Sequence, residues 1–262
     1  MLTNTTAARS GLFLSLAALG LALPGVAWAT DGYFLNGNGA KAKGAGGVGI
    51  ALPQDSMAIA TNPAAVTEVG HRLDIGAELF VPERGARISG NGFGLNGDWS
   101  GNGANPFILP EIAYVRPVSR RVSVGIAISG HGGMNTTYKT NPFGSFGGTG
   151  QAGVNLRQIM IAPTVGVKLA EGHSVGFTPT IVVQSFQATG IQPFAGFSQA
   201  PADFTNRGDD WAAGAGVRFG YLGTLGHGVR IGAFYQSKVW TGRFKKYAGL
   251  FAGSGGFDVP AA

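Results

Sequence analysis

From residue 72 onward, apolar residues recur at every second position of successive short segments. In 72–81 the set Leu73, Ile75, Ala77, Leu79 and Val81 alternates with Arg72, Asp74, Gly76, Glu78 and Phe80. In 122–129 the set Val122, Val124, Ile126 and Ile128 alternates with Ser123, Gly125, Ala127 and Ser129. The same period runs through 158–169, 174–183, 211–221 and 229–239, and more weakly through 108–116. A period of two places one set on each side of a strand, so the pattern predicts seven strands. The second set is mostly Gly, Ala, Ser, Thr or charged, which is too small and too glycine-rich for an ordinary solvated surface. A sheet with lipid on its bulky face and an enclosed space on the other fits better. Trp211 and Tyr221 bracket one strand. Ten residues at about 3.3 Å, tilted about 40°, span roughly 25 Å, the height of a barrel's apolar band.

Connections alternate in length. Segments 117–121, 170–173 and 222–228 are short. Segments 89–107, 130–155 and 188–210 are long and rich in Gly, Asn, Pro and Phe. Short inner turns and long outer loops are the pattern of outer-membrane barrels, and with the first strand running outward every long loop lies outside. After a further loop, 241–256, residues 257–262 read as the start of an eighth strand. Single-chain bacterial barrels have even strand numbers, and an open edge in lipid leaves backbone groups unpaired. The sequence is therefore expected to be a fragment or a truncated gene product, unable to close a pore by itself.

Residues 1–29 carry the parts of a secretory leader: Arg9, an apolar run from Leu12 to Leu23, and Ala27-Trp28-Ala29 as cleavage site. The run is shorter than the roughly 20 residues of a spanning helix. No cysteine is present, which excludes disulfides, thiolate metal sites, a Cys nucleophile and a lipid-anchored N-terminus. Without Arg9 the 19 Lys and Arg become 18 against 13 Asp and Glu, a net charge of +5. In an exported chain that balance points to lipid head groups, lipopolysaccharide or a substrate carboxylate, not to nucleic acid. Only 12% of residues are charged and 46 are Gly, yet no mature run approaches 18 apolar residues, as expected where only alternate residues meet lipid.

Residues 30–70 do not alternate. Gly44, Gly46 and Gly47 allow tight turns. Asp55 or Ser56 can cap a short helix ending at Ala60, and Asn62-Pro63 reads as a cap followed by proline at the first helical position. This piece suits the inside of a lumen. Gly32-Tyr33-Phe34 after the cleavage site, 44–50, Asp55-Ser56 and Asn62-Pro63-Ala64-Ala65 before the first strand are the features by which the chain resembles the outer-membrane long-chain fatty-acid and hydrocarbon transporter family (FadL/TodX-like). The resemblance covers the mature chain but about half of a family member. It implies an all-β, 14-stranded transmembrane barrel with an N-terminal hatch (30–70, ahead of a partial barrel over 71–262) and sideways substrate exit. It also implies a protein inserted by the barrel-assembly machinery; it is expected as a monomer, although no residue fixes the oligomeric state.

A hydrophobic passenger gains about 0.8 kcal/mol per buried methylene, so an apolar interior is needed. Met160, Val182, Phe186, Leu222, Phe234 and Trp240 are placed inward. Phe143, Phe146, Phe194, Phe197, Phe204 and Phe251 lie in loops that can form a capture groove. A carboxylate head would seek a cation, with Arg157, Arg218, Arg230 and Lys238 as candidates, each with an alternative role in pairing with Asp74, Glu78 or Glu111. Gly130-His131-Gly132-Gly133 reads as the start of a loop, with a kink in the wall as the alternative.

Other motifs carry less. Residues 44–49 match G-x-G-x-x-G but lack the flanking strand, helix and βαβ unit of a dinucleotide site. Residues 196–200 resemble a nucleophile elbow but lie in a loop and end in Ala. His71, His131, His173 and His227 have no metal-ligand spacing. No catalytic residue, metal or cofactor is expected. The rivals to transport of fatty acids or aromatic hydrocarbons are a porin for polar solutes, a lipid-modifying outer-membrane enzyme and an adhesin.

Overall fold

The computed structural model describes residues 35–251 and 256–262. The leader expected over 1–29 and the Gly32-Tyr33-Phe34 motif lie outside them. All seven expected strands form: β1 (Arg72–Phe80), β4 (Phe107–Pro117), β5 (Val122–Tyr138), β6 (Ala152–Ala170), β7 (His173–Thr189), β8 (Asp210–Thr224) and β9 (Arg230–Gln236). They build one antiparallel sheet in the order β1-β4-β5-β6-β7-β8, with β9 and the two-residue β10 (Trp240–Thr241) both on β8. Between β1 and β4, in a stretch expected as loop, β2 (Gly85–Ile88) and β3 (Gly97–Ser100) form a separate hairpin. Among the described residues β1 and the β9–β10 side are the two edges and do not pair with each other. No helix there is long and apolar enough to cross a membrane.

The outer face is apolar and uncovered. Ile75, Leu79, Ile108, Trp211, Phe219 and Tyr235 are each more than half exposed, as residues that meet lipid must be. Arg157, Ser185 and Trp211 form one cross-strand row, and Val167, Val175 and Tyr221 another, ten residues away. That separation spans roughly 25 Å along tilted strands. The Tyr221 hydroxyl lies 2.8 Å from His173 Nδ1, which gives its polar end a partner at the lower row.

Two expectations fail for identifiable reasons. β5, β6 and β7 run 17, 19 and 17 residues, well into segments expected as loops. Beyond the Arg157 row the outward positions become Asn135, Asn155 and Gln187, then Thr137, Gly153 and Thr189. The ladder continues while the apolar signal ends, because lipid ends there. The second failure is at the last strand. From the Arg218–Gln236 pair to the Ala215–Trp240 pair, β8 advances three residues and the facing chain four. Ser237 absorbs the extra residue: its N–H donates to Val217 O at 2.9 Å and its hydroxyl accepts from Val217 N–H at 3.0 Å. One inserted residue reverses every later side chain. Val239, expected outward, is fully buried, whereas Trp240, expected inward, is 62% exposed on the outer face.

The other face of the sheet is covered by residues 35–70. A one-turn helix α1 (Ala40–Gly44) and two 3-10 helices, Ser56–Ala60 and Pro63–Thr67, make up this inner segment. Met57, Ile59, Ala64, Ala65 and Val66 pack with Ala113, Val115, Ala127, Met160, Ala162 and Leu222 in one core. Burying each of the larger side chains, Met57, Ile59, Val66, Val115, Met160 and Leu222, contributes about 1.5–3 kcal/mol.

Candidate functional site

The inner segment is held in two different ways. On the β6–β8 side the contact is steric. Gly176 and Gly220 are paired neighbours on the inner face. A Cβ at Gly176 would lie 2.2 Å from the Pro63 carbonyl carbon, and one at Gly220 would lie 2.0 Å from Asn62 Oδ1. The small inner residues read from the sequence are therefore a seat for Asn62-Pro63. Asn62 is fully buried. Its Oδ1 accepts from Ala64 N–H at 3.0 Å, and its Nδ2 donates to Ile50 O at 2.8 Å and to Tyr221 O at 3.0 Å. The cap expected from Asn-Pro thus also ties the segment to itself and to β8. Gly47 has φ +87°, and a Cβ there would strike Asn36.

On the β1–β4 side the contact is polar. Ser56 N–H donates to Asp74 at 2.9 Å, its hydroxyl lies 2.9 Å from Ala113 O, and Asp74 is also paired with Arg72 at 2.6 Å. Lys43 bridges Glu78 and Glu111, the latter at 2.5 Å. Gly39 N–H donates to the same Glu111 oxygen at 3.3 Å. The acids expected to neutralise Arg157, Arg218, Arg230 or Lys238 are instead engaged by Lys43 and Arg72.

Asp55 caps the first 3-10 helix, accepting from Met57 N–H at 3.1 Å. Burial, and then the charge of Asp74, push its carboxyl above the usual range. A raised carboxyl pKa means that Asp55 favours the folded arrangement below its ordinary pKa and loses that contribution as pH rises through the raised value. Asp55→Asn keeps the acceptor without the charge. Chemical denaturation at pH 7 should find it at least as stable as the parent and less pH-dependent, with Asp55→Ala about 1 kcal/mol weaker.

The remaining expected residues separate. Met160, Val182, Phe186 and Leu222 are buried on the inner face, as expected. Phe186 packs with Phe244, Tyr247, Phe251 and Phe257 at ring-centroid distances of 5.0–5.7 Å. Arg218 is buried on the inner face; its Nε donates to Gln236 Oε1 at 3.0 Å, its guanidinium lies 5.9 Å from the Phe234 ring, and its Nη1 makes no hydrogen bond. The other cations have other partners. Arg157 stands on the outer face with Ser185 and Asp209, at 3.1 and 2.8 Å, because its position has the parity of Ile159. Lys238 is solvent-facing and pairs with Asp258 at 2.7 Å, beyond the Ser237 bulge. Arg230 pairs with Glu68 at the end of the inner segment. Among the loop aromatics, Phe194 meets Phe143 edge-on at 4.9 Å and Phe197 is 89% exposed.

The inner face is more polar than expected. Gln158 Nε2 donates to Gln184 Oε1 at 2.7 Å, and the Thr164 and Thr178 hydroxyls are 2.6 Å apart. These residues share the inward parity of Arg218 and Gln236, a signal available in the sequence.

The wall has a gap. β4 and β5 pair only between Glu111↔Ser129 and Pro117↔Ser123. β4 residues 107–110 pair with β1 alone, and β5 residues beyond Ser129 pair with β6 alone until Thr137, which bridges Asn102. The segment Gly130-His131-Gly132-Gly133 is no loop start: it lies inside β5, where the register slips by one residue against β6. The gap is bounded below by the Glu111–Ser129 pair, next to Lys43. Above, Arg84 reaches across it to Asn135 O and to Asn105 Oδ1, the latter at 2.6 Å.

The profile of a family described as outer membrane protein transport protein (OMPP1/FadL/TodX) matches residues 24–253. The chain belongs to this family. Among solved FadL/TodX structures it resembles the Pseudomonas putida toluene transporter TodX, at TM-score 0.64 and 18% identity, over 80% of this chain and 57% of that one. A Pseudomonas aeruginosa FadL homologue matches at TM-score 0.53 and 17% identity, over 79% and 53%. The CymD monoaromatic hydrocarbon channel matches at TM-score 0.50 and 22% identity, over 79% and 55%. At these identities the likeness establishes the fold, and the chain spans little more than half the length of each structure. No curated protein matches it. The family places the chain in the outer membrane, with β-strands as the crossing elements. Its family and solved neighbours are transport channels, not enzymes.

Proposed function

We propose that the protein carries hydrophobic compounds across the outer membrane, with residues 30–70 acting as a hatch and release occurring sideways through the β4–β5 gap. The observation that carries this reading is the gap itself, opening where Lys43 of the inner segment meets Glu111 of the wall. A polar solute has no use for an exit into lipid; an apolar one gains about 0.8 kcal/mol for each methylene it buries there. Phe143, Phe146, Phe194 and Phe197 on the outer loops offer a capture surface. Met160, Phe186 and Phe234 would line the path inside, and Arg218, buried there with no carboxylate partner among the described residues, would meet the head group of an acid. The names of the toluene transporter and the monoaromatic hydrocarbon channel favour an apolar passenger, and Arg218 extends the class to fatty acids.

The gap can be stapled, because the chain has no cysteine of its own. A Cβ at Gly130 would lie 3.2 Å from the Leu109 Cβ, close to the roughly 3.8 Å of a disulfide. Cells carrying Leu109→Cys with Gly130→Cys should lose uptake of labelled oleate and toluene under oxidising conditions and regain it with reductant. Full uptake with the bridge formed would exclude this exit, and unchanged uptake after gene deletion would exclude transport altogether.

A further inference from the structure

Just above the lipid-facing band, the outer face of β5, β6 and β7 holds a recess of about 380 Å³ with no charged residue in its lining. Its floor is formed by two ladder rows, Thr137–Gly153–Thr189 and Asn155–Gln187, and the segment 149–151 and Asn206 overhang it. The side chains of Thr137, Gln151, Asn155, Gln187 and Thr189 make no hydrogen bond among the described residues, and Asn155 Oδ1 is shielded yet unpartnered. Five amide and hydroxyl side chains free of protein partners thus face one hollow. Such groups match the hydroxyls of a sugar.

What surrounds the recess narrows the ligand. Arg157 lies two residues below Asn155 on the same face, and Arg207 follows Asn206 at the rim; both are about half exposed, with Asp209 and Asp203 as their partners at 2.8 and 3.5 Å. Guanidinium groups match phosphate oxygens. Directly below come Trp211, then Ile159, Val183 and Ala213, the top of the apolar band. Sugar-type groups, then guanidinium, then an aromatic ring, then aliphatic wall is the polarity order of a phosphorylated glycolipid from head to tail. A soluble saccharide would use only the first of these layers.

We infer that this recess seats the phosphorylated sugar head group of an outer-leaflet glycolipid, whose acyl chains run down the wall past Ile159. The inference rests on the outer-membrane placement and not on transport. The test uses the protein purified from outer membranes and placed in nanodiscs, with deep-rough lipopolysaccharide titrated in and read by native mass spectrometry. The parent should retain about one molecule per chain. Asn155→Leu with Gln187→Leu should weaken retention at least tenfold, Arg157→Gln about fivefold, and the near-isosteric Thr189→Val about threefold. Heat-modifiable migration identifies folded samples, and the Thr189 variant serves if the double variant does not insert. Retention unchanged in the folded variants would overturn the assignment, as would equal retention of phosphatidylglycerol or equal affinity for the saccharide stripped of its acyl chains. Oleate uptake measured in cells carrying the same variants separates the two readings, since retention can fail while uptake persists and the reverse.

Discussion

On the hatch reading, leucine in place of Gly220 should expel the inner segment and turn a blocked full-length barrel into a conducting one. The Cβ alone would lie 2.0 Å from Asn62 Oδ1, 2.8 Å from Pro63 Cδ and 2.9 Å from Pro63 N. Pro63 Cδ and N are fixed by the ring and the backbone, and Asn62 Oδ1 is held by Ala64 N–H at 3.0 Å, so the segment must move as a unit. The wall keeps its ladder and its lipid-facing residues, and assembly should survive. In planar bilayers, single-channel conductance of the intact barrel should rise at least tenfold, and cells should become sensitive to large antibiotics. Gly176→Leu should behave alike, because its Cβ would lie 2.2 Å from the Pro63 carbonyl carbon. Gly226→Leu, with open space around it, is the control. Conductance at the parent level in both inner-face variants would mean that residues 35–70 do not plug the lumen.

Asn62→Ala should loosen the same segment without adding bulk. It removes a cap worth about 1 kcal/mol. It also removes the two hydrogen bonds that Asn62 Nδ2 donates to the Ile50 and Tyr221 carbonyls, at about 0.5–1.5 kcal/mol each. A total of about 2–4 kcal/mol is a large share of any domain's stability. Hydrogen exchange over residues 50–70 should accelerate by two to three orders of magnitude while β6 and β7 stay protected. Asn62→Ser, which keeps a cap oxygen but neither long-range donor, should recover only about 1 kcal/mol. Protection equal to the parent in the alanine variant would show that the steric seat alone holds the segment.

The faces of the strands were legible because lipid enforces a strict rule: Ile75, Ile126, Ile159 and Phe219 could not stand anywhere but outside. Asn62-Pro63 was legible because its cap is local. What the sequence hid is set by geometry between strands. No residue type announces the bulge at Ser237, and without it Lys238, Val239 and Trp240 are assigned to the wrong faces. The upper halves of β5, β6 and β7 were lost because the apolar set changes face at the Arg157 row. Above it Leu156, Phe186 and Ala188 are buried inside while Asn155 and Gln187 face out, so the parity that lipid enforces below no longer marks the outer side. Arg157 itself was misplaced against its own parity. The partners of Glu78 and Glu111 required knowing where Lys43 lands, 35 and 68 residues away in sequence, which no periodicity records.

Apart from the β2–β3 hairpin, and with β9 and β10 together taking the place of one strand beside β8, each strand of the wall pairs with its neighbours in the chain, so the wall can grow strand by strand. The inner segment cannot follow that order. It emerges first, yet Asn62 donates to Tyr221 across 159 residues and Arg230 reaches Glu68 across 162. Such distant contacts form only after the intervening chain has paid its ordering cost. Before β8 is laid down, Asn62 Nδ2 lacks one of its two acceptors and Pro63 lacks half of its glycine seat. On the hatch reading, biogenesis would pass through an unsealed stage whose duration is set by how fast β5 to β8 are added.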